Sequence, residues 1–166
     1  YMFGERSKIP VVFRSVSGRG WGQGAQHSQS LQALFAHVPG LKVAMPVSPY
    51  DAKGLLVQSI LDDDPVILFE HRNLYGIEGE VPEEYYTVPL GKGRICREGK
   101  ELTIVAFSQM VQEAEKASDL LGKEGIGIEV IDPRSLFPLD EELILESVRK
   151  TGRLIVADTA WKTGGF

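Results

Sequence analysis

The chain has 166 residues, 43% hydrophobic and 25% charged, which is ample apolar material for a packed core. Its 18 Lys+Arg and 23 Asp+Glu give a formal net charge of −5 and are interspersed, so the clustered cationic surface that nucleic acid needs is excluded. Cys96 is the only cysteine and no Cys/His group has zinc-ligand spacing; with no apolar run of membrane-span length and no signal-peptide pattern at the start, an intracellular, reducing compartment fits best.

Pro10 to Ser15 is rich in β-branched residues and predicts a buried strand. A glycine-rich loop over 15–24 follows, and Ser28 or Ser30 is placed to cap a helix with Leu31, Leu34 and Phe35 as its apolar stripe. Leu41 to Met45 predicts a second strand. Ser48 caps the next helix, with Pro49 in its first turn and Asp51 near its positive end, and Leu55, Leu56, Ser59 and Ile60 share a face. Val66 to Phe69 predicts a third strand. Strand–helix–strand–helix–strand implies a parallel sheet covered by helices.

Residues 76–89 differ: they mix prolines, glycines, tyrosines and four glutamates without helical or strand period, and read as a linker between domains. The alternation then resumes. Strands are predicted at Gly93–Arg97, Leu102–Ala106, Ile126–Ile131 and Leu154–Ala157, and helices at Val111–Leu121 and Asp140–Lys150. The chain therefore reads as α/β, with two parallel-sheet, three-layer domains.

The stretch Gly18 to Ser30 carries the most chemical information. Its glycines permit close backbone approach and positive φ. His27 lies where loops after parallel strands build sites, and its imidazole suits proton transfer near neutral pH. The glycines fit neither a Walker A loop nor a dinucleotide fingerprint, and spacing alone favours a structural loop.

Several motifs make the sequence recognisable. They are QHSQS at Gln26–Ser30, HVPGLKV at His37–Val43, SPYDAKGLL at Ser48–Leu56, DPVILFE at Asp64–Glu70, EVIDPRSLFPLD at Glu129–Asp140 and KTGRLIVADTAWKTGGF at Lys150–Phe166. In this order they resemble the β subunit of the thiamine-diphosphate-dependent decarboxylating component of the pyruvate, branched-chain 2-oxoacid and acetoin dehydrogenase complexes. Transketolase and deoxyxylulose-phosphate synthase resemble it more distantly, with Thr-His-Gln at the histidine motif. The resemblance implies the second half of a pyrimidine-binding domain at 1–76, a linker at 77–90 and a truncated transketolase C-terminal-like domain at 91–166. Both ends read as cuts through a longer polypeptide.

The resemblance also implies roles. Thiamine diphosphate lies between this subunit and an α subunit that holds the diphosphate and magnesium, in an α/β heterotetramer that passes acyl groups to a lipoylated acyltransferase core. His27 faces the thiazolium end of the cofactor and donates a proton as the lipoyl disulfide opens, with Gln26 and Ser28 orienting it. Val11, Ser59, Asp62 and Asp64 match a potassium site, although Asp64 replaces a common Asn. Asp132-Pro133-Arg134, with Pro138 and Asp140, matches a structural turn. The carboxylate that contacts the aminopyrimidine, the aromatic residue that stacks on it and the C-terminal docking region lie outside the sequence, so the chain alone is expected to be inactive. His37 reads as a helix-end residue, and His71 is given no chemistry. Two rival readings are a sugar-phosphate thiamine enzyme and a non-catalytic assembly module using Trp21 and Trp161. The implied compartment is the cytoplasm, or the mitochondrial matrix in a eukaryote.

Overall fold

In the computed structural model of the chain, residues 7–18 and 23–165 are described. Trp21 and the neighbouring loop glycines Gly20 and Gly22 lie outside them. The elements run β1 (Val12–Ser17), α1 (Gln32–Ala36), β2 (Lys42–Ala44), α2 (Pro49–Leu61), β3 (Val66–His71), β4 (Arg94–Arg97), β5 (Leu102–Ala106), α3 (Gln109–Gly122), β6 (Ile128–Asp132), β7 (Ser135–Phe137), α4 (Glu141–Thr151) and β8 (Leu154–Ala157). They build two four-stranded sheets, ordered β1-β3-β2-β7 and β4-β6-β5-β8.

The first sheet is parallel through β1, β3 and β2, with Val12 opposite Val66 and Lys42 opposite the same residue. Side-chain alternation along its strands sorts the core. Val43, Met45, Ile67 and Phe69 point one way, where Phe35 of α1 meets Phe69 with ring centroids 5.6 Å apart. Ala44 and Leu68 point the other way, against Leu55 of α2 and Val88. The second sheet is parallel through β6, β5 and β8, with α3 over Ile104, Ala106, Ile128 and Val130 on one face. Its other face joins Val105, Phe107 and Ile131 to the core of the first sheet. The two sheets thus share one apolar core, and each fully buried Leu or Ile in it contributes about 1.5–3 kcal/mol.

Both sheets depart from all-parallel pairing. β4 runs antiparallel to β6. β7, which the sequence did not signal, runs antiparallel to β2 and so places residues of the second half of the chain at the edge of the first sheet. At three residues, β7 is too short for its alternation to stand out from the turn around it.

Side chains cap the amino ends of α2 and α4 but not those of α1 and α3. Ser48 Oγ accepts the Asp51 N–H at 3.0 Å and donates to Asp51 Oδ2 at 2.6 Å, a reciprocal cap over the first turn of α2. In α4, Glu141 and Glu142 sit in the first turn, Arg149 and Lys150 in the last, and Gly152 closes it at φ 70°. In α1, Leu31 occupies the cap position and neither expected serine caps. Ser30 is instead drawn across to Thr159, with the two hydroxyls 3.1 Å apart. Ile60, expected on the apolar face of α2, is exposed, as are Leu34 and Leu120 of α1 and α3. Among the described residues no helix is long and apolar enough to cross a membrane.

Candidate active site

β1 delivers the chain to Gly18 at the carboxyl end of the first sheet, the edge at which parallel α/β sheets place their ligands. Gly18 takes φ 90°, a conformation that suits glycine, and its N–H donates to the Gln29 carbonyl at 3.1 Å. Ala25–His27 form a single 3-10 turn, and Gln29 Nε2 ties it down by donating to the Ala25 carbonyl at 2.7 Å.

His27 ends this turn with its side chain exposed. Gln26 is exposed as well, while Ser28 is half-buried and lines a groove of about 630 Å³. Ser30, Met110, Asp158, Thr159 and Trp161 line the same groove. Of the residues expected to steady His27, neither Gln26 nor Ser28 makes the bonds that hold the turn; Gln29 and Gly18 make them.

The far wall of the groove belongs to the second sheet. Gln32, fully buried, donates from Nε2 to Asp158 Oδ1 at 2.7 Å, and that oxygen also accepts the Thr159 N–H at 2.7 Å. Burial pushes the Asp158 carboxyl up from the usual carboxylate range against these bonds. Its Oδ2, and Oε1 of Gln32, are buried without partners. A polar seam between the two halves of the chain therefore runs beside the residues that follow the His27 turn.

A second group also reaches this loop, and the sequence did not reveal it. His71 ends β3 and is buried, and burial lowers its imidazole from the ordinary histidine value, favouring the neutral ring. Arg72 donates from Nη1 to Gln23 Oε1, and Asn73 donates from Nδ2 to Gln109 Oε1 at 3.1 Å, at the start of α3. Only the strand pairing of Ser17 with His71 brings these residues to the loop. Nothing in the local sequence signals it.

The four positions matched to a cation, Val11, Ser59, Asp62 and Asp64, surround the other end of the first sheet. The Val11 carbonyl accepts the Val66 N–H at 3.0 Å, and Ser59 Oγ donates to the Leu55 carbonyl at 2.7 Å. Asp62 and Asp64 are joined by the ammonium of Lys42, at 2.7 and 3.0 Å. Burial alone would lower that ammonium, but its bonds to both aspartates outweigh burial and raise it. Among the described residues no group of three or more His, Cys, Asp or Glu side chains is arranged to hold a metal ion.

The Asp132-Pro133-Arg134 turn is held as expected, with the Arg134 N–H donating to Asp132 Oδ1 at 2.9 Å, but the Arg134 side chain also crosses to Asp51 in α2. Burial pushes the Cys96 thiol up to about 12 against the pull of Arg94, away from the range of an activated thiolate. His37 follows α1, and its N–H donates to the Ala33 carbonyl.

Two four-stranded α/β sheets, with an exposed histidine at the carboxyl edge of the first, fit a transketolase-like protein. The sequence profile of the transketolase pyrimidine binding domain matches residues 1–78, and that of the transketolase C-terminal domain matches 91–166; the chain belongs to this family. Within it, the relatives are beta subunits. Residues of the acetoin:2,6-dichlorophenolindophenol oxidoreductase subunit beta of Cupriavidus necator are 54% identical over 96% of this chain and 47% of that protein. The pyruvate dehydrogenase E1 component subunit beta of Bacillus subtilis is 48% identical over 100% of this chain and 51% of its own length. A solved split-gene transketolase, an inactive beta4 tetramer, superposes with a TM-score of 0.79 at 30% identity, covering 92% of this chain and 49% of that one. The chain spans about half the length of the relatives it matches.

Proposed function

We propose that this chain is the central-to-C-terminal part of the beta subunit of a 2-oxoacid dehydrogenase. That enzyme decarboxylates a 2-oxoacid and transfers its acyl group to lipoyl groups on an acyltransferase. In this reading residues 1–76 complete a pyrimidine-binding domain whose first half precedes them, and an α subunit supplies the diphosphate and magnesium side of the site. The single observation that carries it is the exposed His27, held on a turn closed at both ends beside the seam of the two sheets. A histidine serving a cofactor shared with another polypeptide has to face outward, and this one does.

When bound, thiamine diphosphate would supply the carbon nucleophile and the electron sink for decarboxylation. His27 would act on the proton side. An imidazolium nitrogen donates to the sulfur that leaves as the lipoyl disulfide opens, in a site from which the partner subunit excludes water. Gln29 holds the turn that aims the ring. The groove from Ser28 to Trp161 gives an extended acyl acceptor a path along the seam. Potassium at Val11, Ser59, Asp62 and Asp64 belongs to the same proposal, with the Lys42 ammonium as its competitor for the two carboxylates.

The test is acyl transfer by the full-length beta subunit assembled with its α partner. Replacing His27 by Ala or Asn should lower transfer to a lipoylated acceptor by about 10²–10⁴-fold, the usual worth of a general acid. Reduction of an artificial dye with the same substrate should fall much less. Transfer at the parental rate in His27→Ala would end the proposal. Acetoin is the second reading for the substrate, favoured by the higher identity to the acetoin relative, 54% against 48%. Dye reduction with acetoin against pyruvate and branched 2-oxoacids separates the two.

A further inference from the structure

We propose that His71 is a positioning residue for the His27 turn, acting through Gly18 rather than on substrate. The inference rests on the reading of His27 given above, and the contact itself is visible without it.

Ser17 of β1 lies opposite His71 of β3 in the parallel ladder, so the two side chains share a face of the sheet. Both are buried, at 2% and 1% exposure. His71 Nδ1 accepts the Asn73 N–H at 3.3 Å, which leaves the proton of the neutral ring on Nε2. That Nε2 has no hydrogen-bond partner, and neither has Ser17 Oγ. The His71 imidazole instead packs on the backbone at Gly18: a Cβ built there would overlap its Nε2, Cδ2 and Cε1 atoms. Gly18 is the only residue type that fits, both for this approach and for its φ of 90°.

Two hydrogen bonds then lead from Gly18 to the turn that carries His27. The Gly18 N–H donates to the Gln29 carbonyl at 3.1 Å, and Gln29 Nε2 donates to the Ala25 carbonyl at 2.7 Å, at the start of the turn that ends in His27. The two residues after His71 brace the same loop, Arg72 through Gln23 and Asn73 through Gln109 of α3. A buried, neutral ring that makes one hydrogen bond, and leaves a second polar atom unpaired, costs stability relative to an apolar residue. Its shape under Gly18 is what an apolar residue of different outline would not reproduce.

The experiment uses the full-length beta subunit assembled with its α partner and compares parental protein, His71→Ala, His71→Gln, Gly18→Ala and the double variant Gly18→Ala/His71→Ala. Amide hydrogen exchange over residues 23–30 is read by mass spectrometry, and acyl transfer is followed in parallel. Removing the ring should speed exchange over 23–30 by about tenfold while β1 and β3 stay protected. kcat for acyl transfer should fall by about tenfold at nearly constant KM for the 2-oxoacid, the mark of lost orientation rather than lost binding. His71→Gln, which keeps an acceptor for the Asn73 N–H, should recover part of both. Gly18→Ala should disturb the loop more than Gly18→Ala/His71→Ala does. Unchanged exchange over 23–30 in an assembled His71→Ala or Gly18→Ala enzyme overturns the inference. If exchange rises while His27→Ala retains full acyl transfer, the functional reading has failed and the positioning contact stands.

Discussion

Arg134, on the turn that leaves β6, holds its Nε 2.9 Å from Oδ1 of Asp51 in the first turn of α2, an ion pair that fastens the second half of the chain to the first. Asp51 is completely buried, and its other oxygen meets Arg94 at 3.4 Å as well as the Ser48 hydroxyl. The approach of Arg134 is too bent for a hydrogen bond, so the contact is chiefly coulombic. Arg134→Met should therefore cost about 3–5 kcal/mol, because it strands a buried carboxylate with one arginine. Asp51→Asn in the Arg134→Met background should return part of that loss. Urea denaturation of the four proteins of this cycle measures the coupling, and additivity of the two substitutions would refute it.

Asp132 belongs to the same cluster, with Arg94 Nε 3.3 Å away, and burial pushes its carboxyl up to about 6 despite the arginine. A carboxyl raised in the native state binds its proton more tightly folded than unfolded. Its contribution is therefore most favourable below its unfolded value and is lost as pH rises through about 6. Asp132→Asn should remove that slope. Relative to the parent, its stability should improve by about 2 kcal/mol between pH 4 and pH 7, most of the worth of a shift of roughly two pH units. Denaturation midpoints of both proteins across this range decide the sign. A variant that loses ground toward pH 7 would show that the arginines outweigh burial.

Gly54 lies inside α2, where Ala would ordinarily gain up to about 1 kcal/mol of helix propensity. Here the linker crosses the helix: the Val88 N–H donates to the Gly54 carbonyl at 3.0 Å, and a Cβ on Gly54 would overlap Val88 and come within 2.9 Å of the Tyr86 ring. Overpacking of this kind costs about 1–3 kcal/mol, so Gly54→Ala should be destabilising on balance. Trimming the obstruction with Val88→Ala in the same protein should make the added methyl less harmful than it is alone. Thermal denaturation of the single and double variants checks both statements.

Lys42 sets the cation question at the corner of α2 and β3. Its ammonium already neutralises Asp62 and Asp64 at 2.7 and 3.0 Å. Lys42→Met should leave two carboxylates facing each other and lower stability in sodium. Potassium, a hard cation that takes oxygen ligands, should restore more of that stability than sodium does. Melting temperatures of parent and variant in matched potassium and sodium chloride give the comparison. Equal response to the two salts would mean that the corner does not select potassium.

Much of this architecture was legible in the residues. β2, α2, β3, β5, α3, α4 and β8 lie where hydrophobic period and the Ser48 cap place them, because those signals act over one or two turns of chain. At the histidine motif spacing alone favoured a structural loop, and it was the family resemblance that singled out His27, which the structure leaves exposed. What the sequence could not disclose depends on partners far along the chain. Ser30 fails to cap α1 because Thr159, 129 residues away, takes its hydroxyl. β7 becomes a strand only because β2 offers an edge.

The two most consequential contacts follow the same rule. Arg134 looked like a residue that merely holds its own turn, and it reaches Asp51 because the two sheets share one core. His71 looked inert, and it lies under Gly18 because β1 and β3 pair in one register. Local propensity and patterning determined which segments are helix or strand and which residue types could carry chemistry. The tertiary structure alone decided which of them meet, since contacts across a sheet or between sheets are fixed by register and packing, and these leave no periodic trace along the chain.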